Sequence, residues 1–376
     1  MSIDRVIEAY AYLVPIRSGQ ESNKYHPRGN KCVLILFVVS CYREAGGHEK
    51  VMNNLSKGLT KLGHEIVLGS FSFDRFPPDG VGSVRLNKLR NLPNYLDSKR
   101  IDIIHSQHTK MNYYSLLSSK PFIFHFHGTG SKLQEVNLRF SFILCKNRIS
   151  KIIYTSSFSV QRTRKIVGNM ALKIPYEVIY NGVDTSFYHS KVPRTYKVGD
   201  PQLLFVGNLY RHKNVARIVE EMPQILKSFP SLHLQIVGSG DDYGTVRDLV
   251  TKLKLEKNIE LLGAITSEEE LRIRYSSCDI YISASKLEDN PLPLLEAMAC
   301  GKPVLVSDIP SHMEMVSRSN AGLIFSLDDK QGIERGITNI LDQMNNLENN
   351  AKLFAKENDW SNVCKRVSRI YEQLVS

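Results

Sequence analysis

Hydrophobic residues recur along this chain in two alternating patterns, short continuous runs and longer stretches at helical spacing. Lys31-Cys-Val-Leu-Ile-Leu-Phe-Val-Val-Ser40 is a continuous aliphatic run, as a strand buried on both faces of a parallel sheet requires. It leads into Ala45-Gly46-Gly47, after which Val51, Leu55, Leu59 and Leu62 keep a helical period. Gly63 then stops the helix and Ile66-Val67-Leu68 opens another strand. Further short strands are expected at Ile101–His105, Phe122–Phe126 and Lys151–Thr155. The second half repeats this alternation, with Leu203–Gly207, Leu232–Val237, Ile280–Ser283 and Val304–Ser307 reading as strands and helical stretches between them. From Trp360 to Leu374, the positions Val363, Val367, Ile370, Tyr371 and Leu374 mark an amphipathic helix.

Two successive sets of alternating strands and helices predict an α/β chain of two doubly wound, Rossmann-like domains facing each other across a cleft. Pro193, Gly199 and Pro201 interrupt the pattern and place the join near 181–200. The expected division is 1–190 for the first domain and 191–359 for the second, with 360–376 a helix packing back on the first. Residues 1–30 show little periodicity and form an unplaced extension. A length of 376 residues suits two domains, and 42% hydrophobic with 23% charged residues is a globular composition.

The longest aliphatic and aromatic run, Val33–Val39, falls far short of the roughly 20 residues of a membrane span. The apolar stretch Ala9–Val14 is closed by Pro15, so a secretory leader is not expected. Six cysteines without paired spacing read as reduced thiols of a cytoplasmic protein, not as a disulfide framework or a zinc site.

Charge divides the halves. Residues 1–190 hold 26 Lys and Arg against 13 Asp and Glu, whereas 191–376 hold 23 against 25. One basic half fits either ordinary solubility charge or a single domain that meets an acidic partner: nucleic acid, an anionic membrane surface or an anionic substrate. The basic half lacks Lys/Arg runs interleaved with aromatics, so nucleic acid is not expected. Lys132 to Lys151 mixes Leu133, Val136, Phe140, Phe142, Ile143 and Leu144 with Lys132, Arg139, Lys146, Arg148 and Lys151. That pattern fits either a face touching an anionic membrane at its periphery or an ordinary amphipathic helix on the sheet.

The densest chemistry lies in Ser285-Lys-Leu-Glu288-Asp-Asn-Pro-Leu-Pro-Leu-Leu-Glu296-Ala-Met-Ala-Cys-Gly301-Lys-Pro-Val. Pro293 suits a first helical turn and Gly301 a helix end. The helix between them is apolar on every side, so Glu296 must be paired or lie against a polar ligand. Glu288 falls on the loop after a strand. Lys213, also on a loop after a strand, is a point charge able to neutralise a phosphate. Gly46-Gly47 and the turn at Gly238 permit close backbone approach, the former at a helix start. His127 ends the strand carrying Phe122, Phe124 and Phe126, while His125 is expected in the core. No Asp-x-Asp and no metal-ligand spacing occurs, so no metal and no cofactor are expected. A phosphate-binding Gly-x4-Gly-Lys-Ser/Thr and a dinucleotide Gly-x-Gly-x-x-Gly are also absent.

Glu288-x7-Glu296 followed by Ala-Met-Ala-x-Gly-x-Pro-Val resembles the signature of the retaining family-4 glycosyltransferases, the glycosyl transferases group 1 of GT-B fold. Ala45-Gly46-Gly47-His48-Glu49, Phe126-His127-Gly128, Tyr180-Asn181-Gly182-Val183-Asp184, Phe205-Val206-Gly207 with Lys213, and Ile236-Val237-Gly238-Ser239-Gly240 resemble further motifs of that family, in its order. Asn208 stands where the family has arginine, Asn214 where it has glycine, and Asp289-Asn290-Pro291 replaces a Gly-Phe-Gly. Arg211 is left to supply the missing guanidinium.

The resemblance implies an enzyme that moves a sugar from a UDP- or GDP-sugar donor to a hydroxyl of a glycan or lipid-linked acceptor. It implies Glu288, His127 and Lys213 as the catalytic set, with Glu296 on the ribose. Gly46, Gly47, Gly207, Arg211, Gly238, Asn290 and Leu292 are the other implied substrate-binding positions. A nucleotide-sugar epimerase on the same fold and a non-catalytic basic binding protein are the competing readings.

Overall fold

The computed structural model describes residues 32–43, 46–86 and 92–376; the extension expected over 1–30 and Ala45 of the glycine turn lie outside them. The chain forms two compact units, one reaching Asn181 and completed by Trp360–Ser376, the other Gly182–Asp359. The division at Asn181 falls ahead of the boundary expected at 190.

The first unit runs β1 (Leu34–Val39), α1 (Gly47–Lys61), β2 (Glu65–Ser70), β3 (Gly82–Arg85), α2 (Leu92–Ser98), β4 (Ile103–Ser106), β5 (Phe122–Phe126), α3 (Lys132–Cys145), β6 (Lys151–Tyr154), α4 (Ser157–Val167) and β7 (Tyr176–Val178). Its seven strands pair in parallel in the order β3-β2-β1-β4-β5-β6-β7. Crossovers wind outwards in both directions from β1 and β4, an order that places helices on both faces of such a sheet. Leu36, Val38, Phe122, Phe124 and Ile152 bury one face against Leu138 and Phe142 of α3. The stretch expected to be amphipathic over 132–151 is helical only to Cys145, because the chain must turn at Lys146–Ser150 to enter β6.

The C-terminal helix, Trp360–Val375, belongs to this first unit and packs on α1. Val363, Cys364, Val367, Ile370 and Tyr371 make its buried stripe. Polar anchors fix its register: His64 Nε2 lies 2.7 Å from Ser368 Oγ, and His105 Nδ1 lies 2.6 Å from the Tyr371 hydroxyl. The helices approach closely because α1 has Gly58 opposite the Cys364 side chain, where a Cβ would overlap the sulfur.

The second unit runs β8 (Gln202–Val206), α5 (Val215–Ser228), β9 (His233–Val237), α6 (Tyr243–Lys252), β10 (Ile259–Gly263), α7 (Glu268–Ser277), β11 (Ile280–Ser283), α8 (Leu292–Ala299), β12 (Val304–Ser307), α9 (Pro310–Ser319), β13 (Gly322–Phe325), α10 (Gly332–Asp342) and α11 (Met344–Glu357). Its parallel sheet has the order β10-β9-β8-β11-β12-β13, with the winding reversing between β8 and β11. Among the described residues no helix is long and apolar enough to cross a membrane.

Gly58→Ala is expected to destabilise the protein by about 1–3 kcal/mol, the usual cost of overpacking a close contact, because the added methyl forces α1 from the C-terminal helix. A urea midpoint equal to that of the unchanged protein would show that this contact yields without strain.

Candidate active site

Two groups of polar side chains collect at the carboxyl edges of the two sheets, each within its own unit. In the second unit the loops that follow β8 and β11 flank the point where the winding reverses, which is where such sheets leave a crevice. The β8 loop carries Lys213 and the β11 loop carries Glu288. Lys213 Nζ lies 2.5 Å from Glu288 Oε1, and Ser285 Oγ donates to the same oxygen at 2.8 Å. Among the described residues no hydrogen-bond donor reaches Glu288 Oε2, which leaves that oxygen for a ligand. Both side chains are mostly buried, so each serves as the other's counter-ion where either alone would be costly.

Asn214, in the left-handed conformation at φ 54°, ends the turn Arg211–Lys213 and starts α5. Its side-chain amide donates to Ala284 O at 3.1 Å, tying the β8 loop to the β11 loop. The backbone ties them again through Lys286 N to His212 O at 2.7 Å. Asparagine thus suits this position, both for its tolerance of positive φ and for its amide. Arg211 is exposed.

Behind Glu288 sits His312, in the first turn of α9 and fully buried. Ser307 Oγ donates to Ser285 O at 2.6 Å and lies 3.0 Å from His312 Nδ1, which is also 3.2 Å from the Ser307 carbonyl oxygen. A carbonyl can only accept, so Nδ1 carries the proton and Nε2 presents a bare lone pair. Nε2 is buried without a hydrogen-bond partner. Burial pushes the imidazole down to about 4, against the pull of the Glu288 carboxylate.

Glu296 on α8 is buried and accepts from the Tyr275 hydroxyl at 2.8 Å. Burial, followed by the charge of Glu296, drives the Tyr275 phenol well above its ordinary value, so it stays a donor. Gly207 and Gly238 end the adjacent strands β8 and β9. Gly238 has φ 144°, and a Cβ there would overlap the Gly207 carbonyl oxygen, so that turn requires glycine for its own packing. Asn290 and Leu292 border the amino end of α8, whose N-cap is Pro291.

In the first unit, β1, β4 and β5 end in a cluster of imidazoles. His127 Nε2 lies 2.7 Å from Gln107 Oε1. The His127 ring stacks on His125 with centroids 4.2 Å apart and meets His48 edge-on at 5.0 Å. His48, beside Gly47 in the first turn of α1, also meets His108 edge-on at 5.4 Å, and His105 stacks on His125 at 5.4 Å. The Ser40 amide donates to His108 Nδ1 at 3.2 Å, which puts that ring's proton on Nε2.

Burial first, then the neighbouring imidazoles, keeps these rings neutral: His108 is lowered to about 4, His125 to about 3, and His105 and His127 well below the usual range. Among the described residues no group of His, Cys, Asp or Glu could hold a metal ion. A Cβ at Gly47 would meet nothing within 4 Å, so glycine there leaves open space beside the cluster, whereas at Gly46 it would overlap the Glu49 carboxylate.

The second-unit positions Gly207, Lys213, Gly238, Glu288, Asn290, Leu292 and Glu296 thus lie on loops at the carboxyl edge of that sheet or on the helix behind it. Gly46, Gly47 and His127 gather at the edge of the other sheet. Ser285, Ser307, His312 and Tyr275 escaped the sequence reading, since single hydroxyls and a lone histidine on an amphipathic helix carry no signal until the fold places them. His48 was legible only as part of the Ala45–Glu49 motif, and His108 carried no signal in the sequence.

The sequence profile described as "Glycosyl transferases group 1" matches residues 190–357, and that described as "Glycosyltransferase Family 4" matches residues 45–187. An uncharacterized glycosyltransferase of Methanocaldococcus jannaschii is 26% identical over 302 residues, covering 78% of this chain and 81% of its own. The O-antigen chain mannosyltransferase RfbU of Salmonella typhimurium is 30% identical over 219 residues, covering 57% of this chain and 58% of its own. Among solved structures, Anabaena Alr3699/HepE in complex with UDP and glucose superposes with a TM-score of 0.74 at 18% identity, covering 91% of this chain and 100% of that one.

His125 has both ring nitrogens buried without a hydrogen-bond partner, so its removal sacrifices no bond. Its folded-state value lies below the 6.5 of a free imidazole. The stability it contributes is therefore complete above about pH 6.5 and lost as pH falls towards 3. His125→Leu is expected to stay within about 1.5 kcal/mol of the parent at pH 7, as a near-volume-conserving change. Between pH 6 and 4 its stability should fall less steeply, by up to about 1.4 kcal/mol per pH unit. Urea titrations at pH 7, 6 and 5 measure both, and an unchanged slope would mean the imidazole titrates alike in both states.

Proposed function

The chain belongs to the group 1 glycosyltransferases, enzymes of the two-domain GT-B fold, and from that premise we propose that it moves a sugar from a UDP- or GDP-sugar to an acceptor hydroxyl on a glycan or lipid-linked acceptor, with retained anomeric configuration. The observation that carries the reading is the Lys213–Glu288 pair on the two loops at the reversal of the second sheet.

As the bond between the sugar and the diphosphate breaks, negative charge grows on the leaving phosphate. Lys213 is already fixed by Glu288 and requires little reorganisation to meet that charge. With no Asp-x-Asp in the sequence, charge neutralisation is assigned to Lys213, not to a divalent ion. Glu288 accepts from a hydroxyl of the transferred sugar through Oε2. Glu296, oriented by Tyr275, takes the ribose. Leu292 offers an amide at the start of α8 to the phosphates, beside Asn290, while Pro291 has none to offer. Gly207 and Gly238 bring backbone to the nucleotide. His127, with the open space at Gly47 and the neighbouring backbone of Gly46, is assigned to hydroxyls of the sugar. The leaving phosphate takes the acceptor proton, so no side chain is assigned as a general base. All six cysteines are free thiols, which supports a reducing, cytoplasmic setting.

Lys213→Ala is expected to lower kcat by about 10²- to 10³-fold with a smaller change in KM, because the charge it meets grows at the transition state. Glu288→Gln should keep the nucleotide affinity within about tenfold and lose turnover, as a group acting mainly at the transition state does. Arg211→Ala, at an exposed position, should cost less than about tenfold. Steady-state kinetics against UDP- and GDP-sugars decide these, and full activity of Lys213→Ala would overturn the phosphate role. Proton NMR of the product reads its anomeric configuration, and inversion would reject the retaining reading.

A further inference from the structure

Helix α3 has two apolar faces, and only one of them is buried. Leu138, Ser141, Phe142 and Cys145 turn inward. Leu133, Val136, Phe140, Ile143 and Leu144 are 75%, 48%, 56%, 54% and 53% exposed. At 100° per residue these five fall within a sector about 100° wide, as broad as the stripe a surface helix normally buries. Lys132, Arg139 and Lys146 recur every seventh residue along one flank of that sector, and Arg139 is held there by a bond from its Nε to Ile166 O at 2.7 Å.

The surrounding chain is basic to an unusual degree. From Ile103 to Tyr176 there are eleven Lys and Arg, and the only carboxylate is Glu135, which is paired with Arg162 at 3.2 Å. Lys165 and Lys173 of the neighbouring segment are exposed as well.

We propose that the outer face of α3 docks on a bilayer bearing anionic headgroups. The apolar sector would enter the boundary between headgroups and acyl chains while Lys132, Arg139 and Lys146 meet the lipid phosphates. Two other occupants fit less well. A second copy meeting this face antiparallel, about a two-fold axis that crosses the helix, would set like-charged rows against each other. Nucleic acid would match the charge but would leave five aliphatic and aromatic side chains against a phosphate backbone, with Phe140 the single ring available for stacking. The proposal concerns a surface of the first unit and stands apart from the donor chemistry assigned above.

Vesicle flotation of the full chain tests it, with phosphatidylcholine vesicles against vesicles containing phosphatidylglycerol. The parent protein is expected to float with the anionic vesicles, to stay behind with neutral ones, and to be released by salt. Phe140→Ser with Ile143→Ser, and separately Lys132→Glu with Lys146→Glu, should each reduce the bound fraction at least about tenfold, since every basic residue at such a surface contributes roughly fivefold. These side chains are exposed, and unchanged circular dichroism and melting show that the variants fold.

No flotation of the parent, flotation indifferent to lipid charge, or full binding by either variant would overturn the proposal. So would a dimer seen by light scattering and abolished by Phe140→Ser with Ile143→Ser, which would give the face to a second copy. An RNA complex that survives that apolar variant, with no flotation, would reject the membrane in favour of nucleic acid.

Discussion

Everything in this molecule that could act on a substrate depends on one constraint, that all strands of a sheet run in the same direction. Parallel pairing sends every carboxyl end to one edge, and each crossover must return over a face. Where the winding reverses, the loops leaving neighbouring strands part company and their ends stay uncovered. Lys213 and Glu288 meet because β8 and β11 are neighbours across such a reversal, although a long stretch of sequence separates them. Ser40 and His108 meet across the corresponding reversal between β1 and β4.

The two edges solve the burial of polar groups in opposite ways. The second unit sets a basic side chain against an acidic one, so that Lys213 and Glu288 each have a counter-ion. The first unit gathers imidazoles, which avoid the cost of an unpaired buried charge by shedding the proton. An ion pair can exchange one partner for a ligand of the same sign, whereas neutral rings offer single donors and acceptors suited to hydroxyls. The contrast matches the roles proposed here, in which the second unit meets the phosphates and shares the sugar hydroxyls with the neutral imidazoles of the first unit.

Legibility in the sequence followed burial. Inner strands such as Leu34–Val39, Phe122–Phe126, Ile280–Ser283 and Val304–Ser307 are covered on both faces and therefore spell continuous apolar runs. The four strands that left no such mark, β3, β7, β10 and β13, are the two outer strands of each sheet. They are short and partly exposed, so Gly82-Ser83-Val84-Arg85 and Tyr176-Glu177-Val178 look like loop until a neighbour pairs with them. Glu296 could be read because it is a carboxylate in an otherwise apolar helix, and Glu288 because it stands eight residues before it on the loop after a strand. The hydroxyls and the imidazole behind Glu288 could not, since Ser285, Ser307 and His312 become a set only through the folding of β11, β12 and α9 onto one another.

The second unit is an insertion in the first, and its two ends are stitched together. Val183 N donates to Asn358 O at 3.0 Å and Thr185 N to Asp359 Oδ2 at 3.1 Å. Residues 182–359 thus form a closed loop of chain, whereas the first unit is left without Trp360–Ser376 until that loop has been made. On the ribosome the order of completion is therefore the reverse of the order of synthesis. The inserted unit acquires all of its strands while the earlier one still exposes the groove along α1 that Cys364, Val367 and Tyr371 will fill. For that interval the first unit has an open hydrophobic flank at Gly58 and His105, a transient state that protease protection of stalled nascent chains would register and that a chaperone would meet.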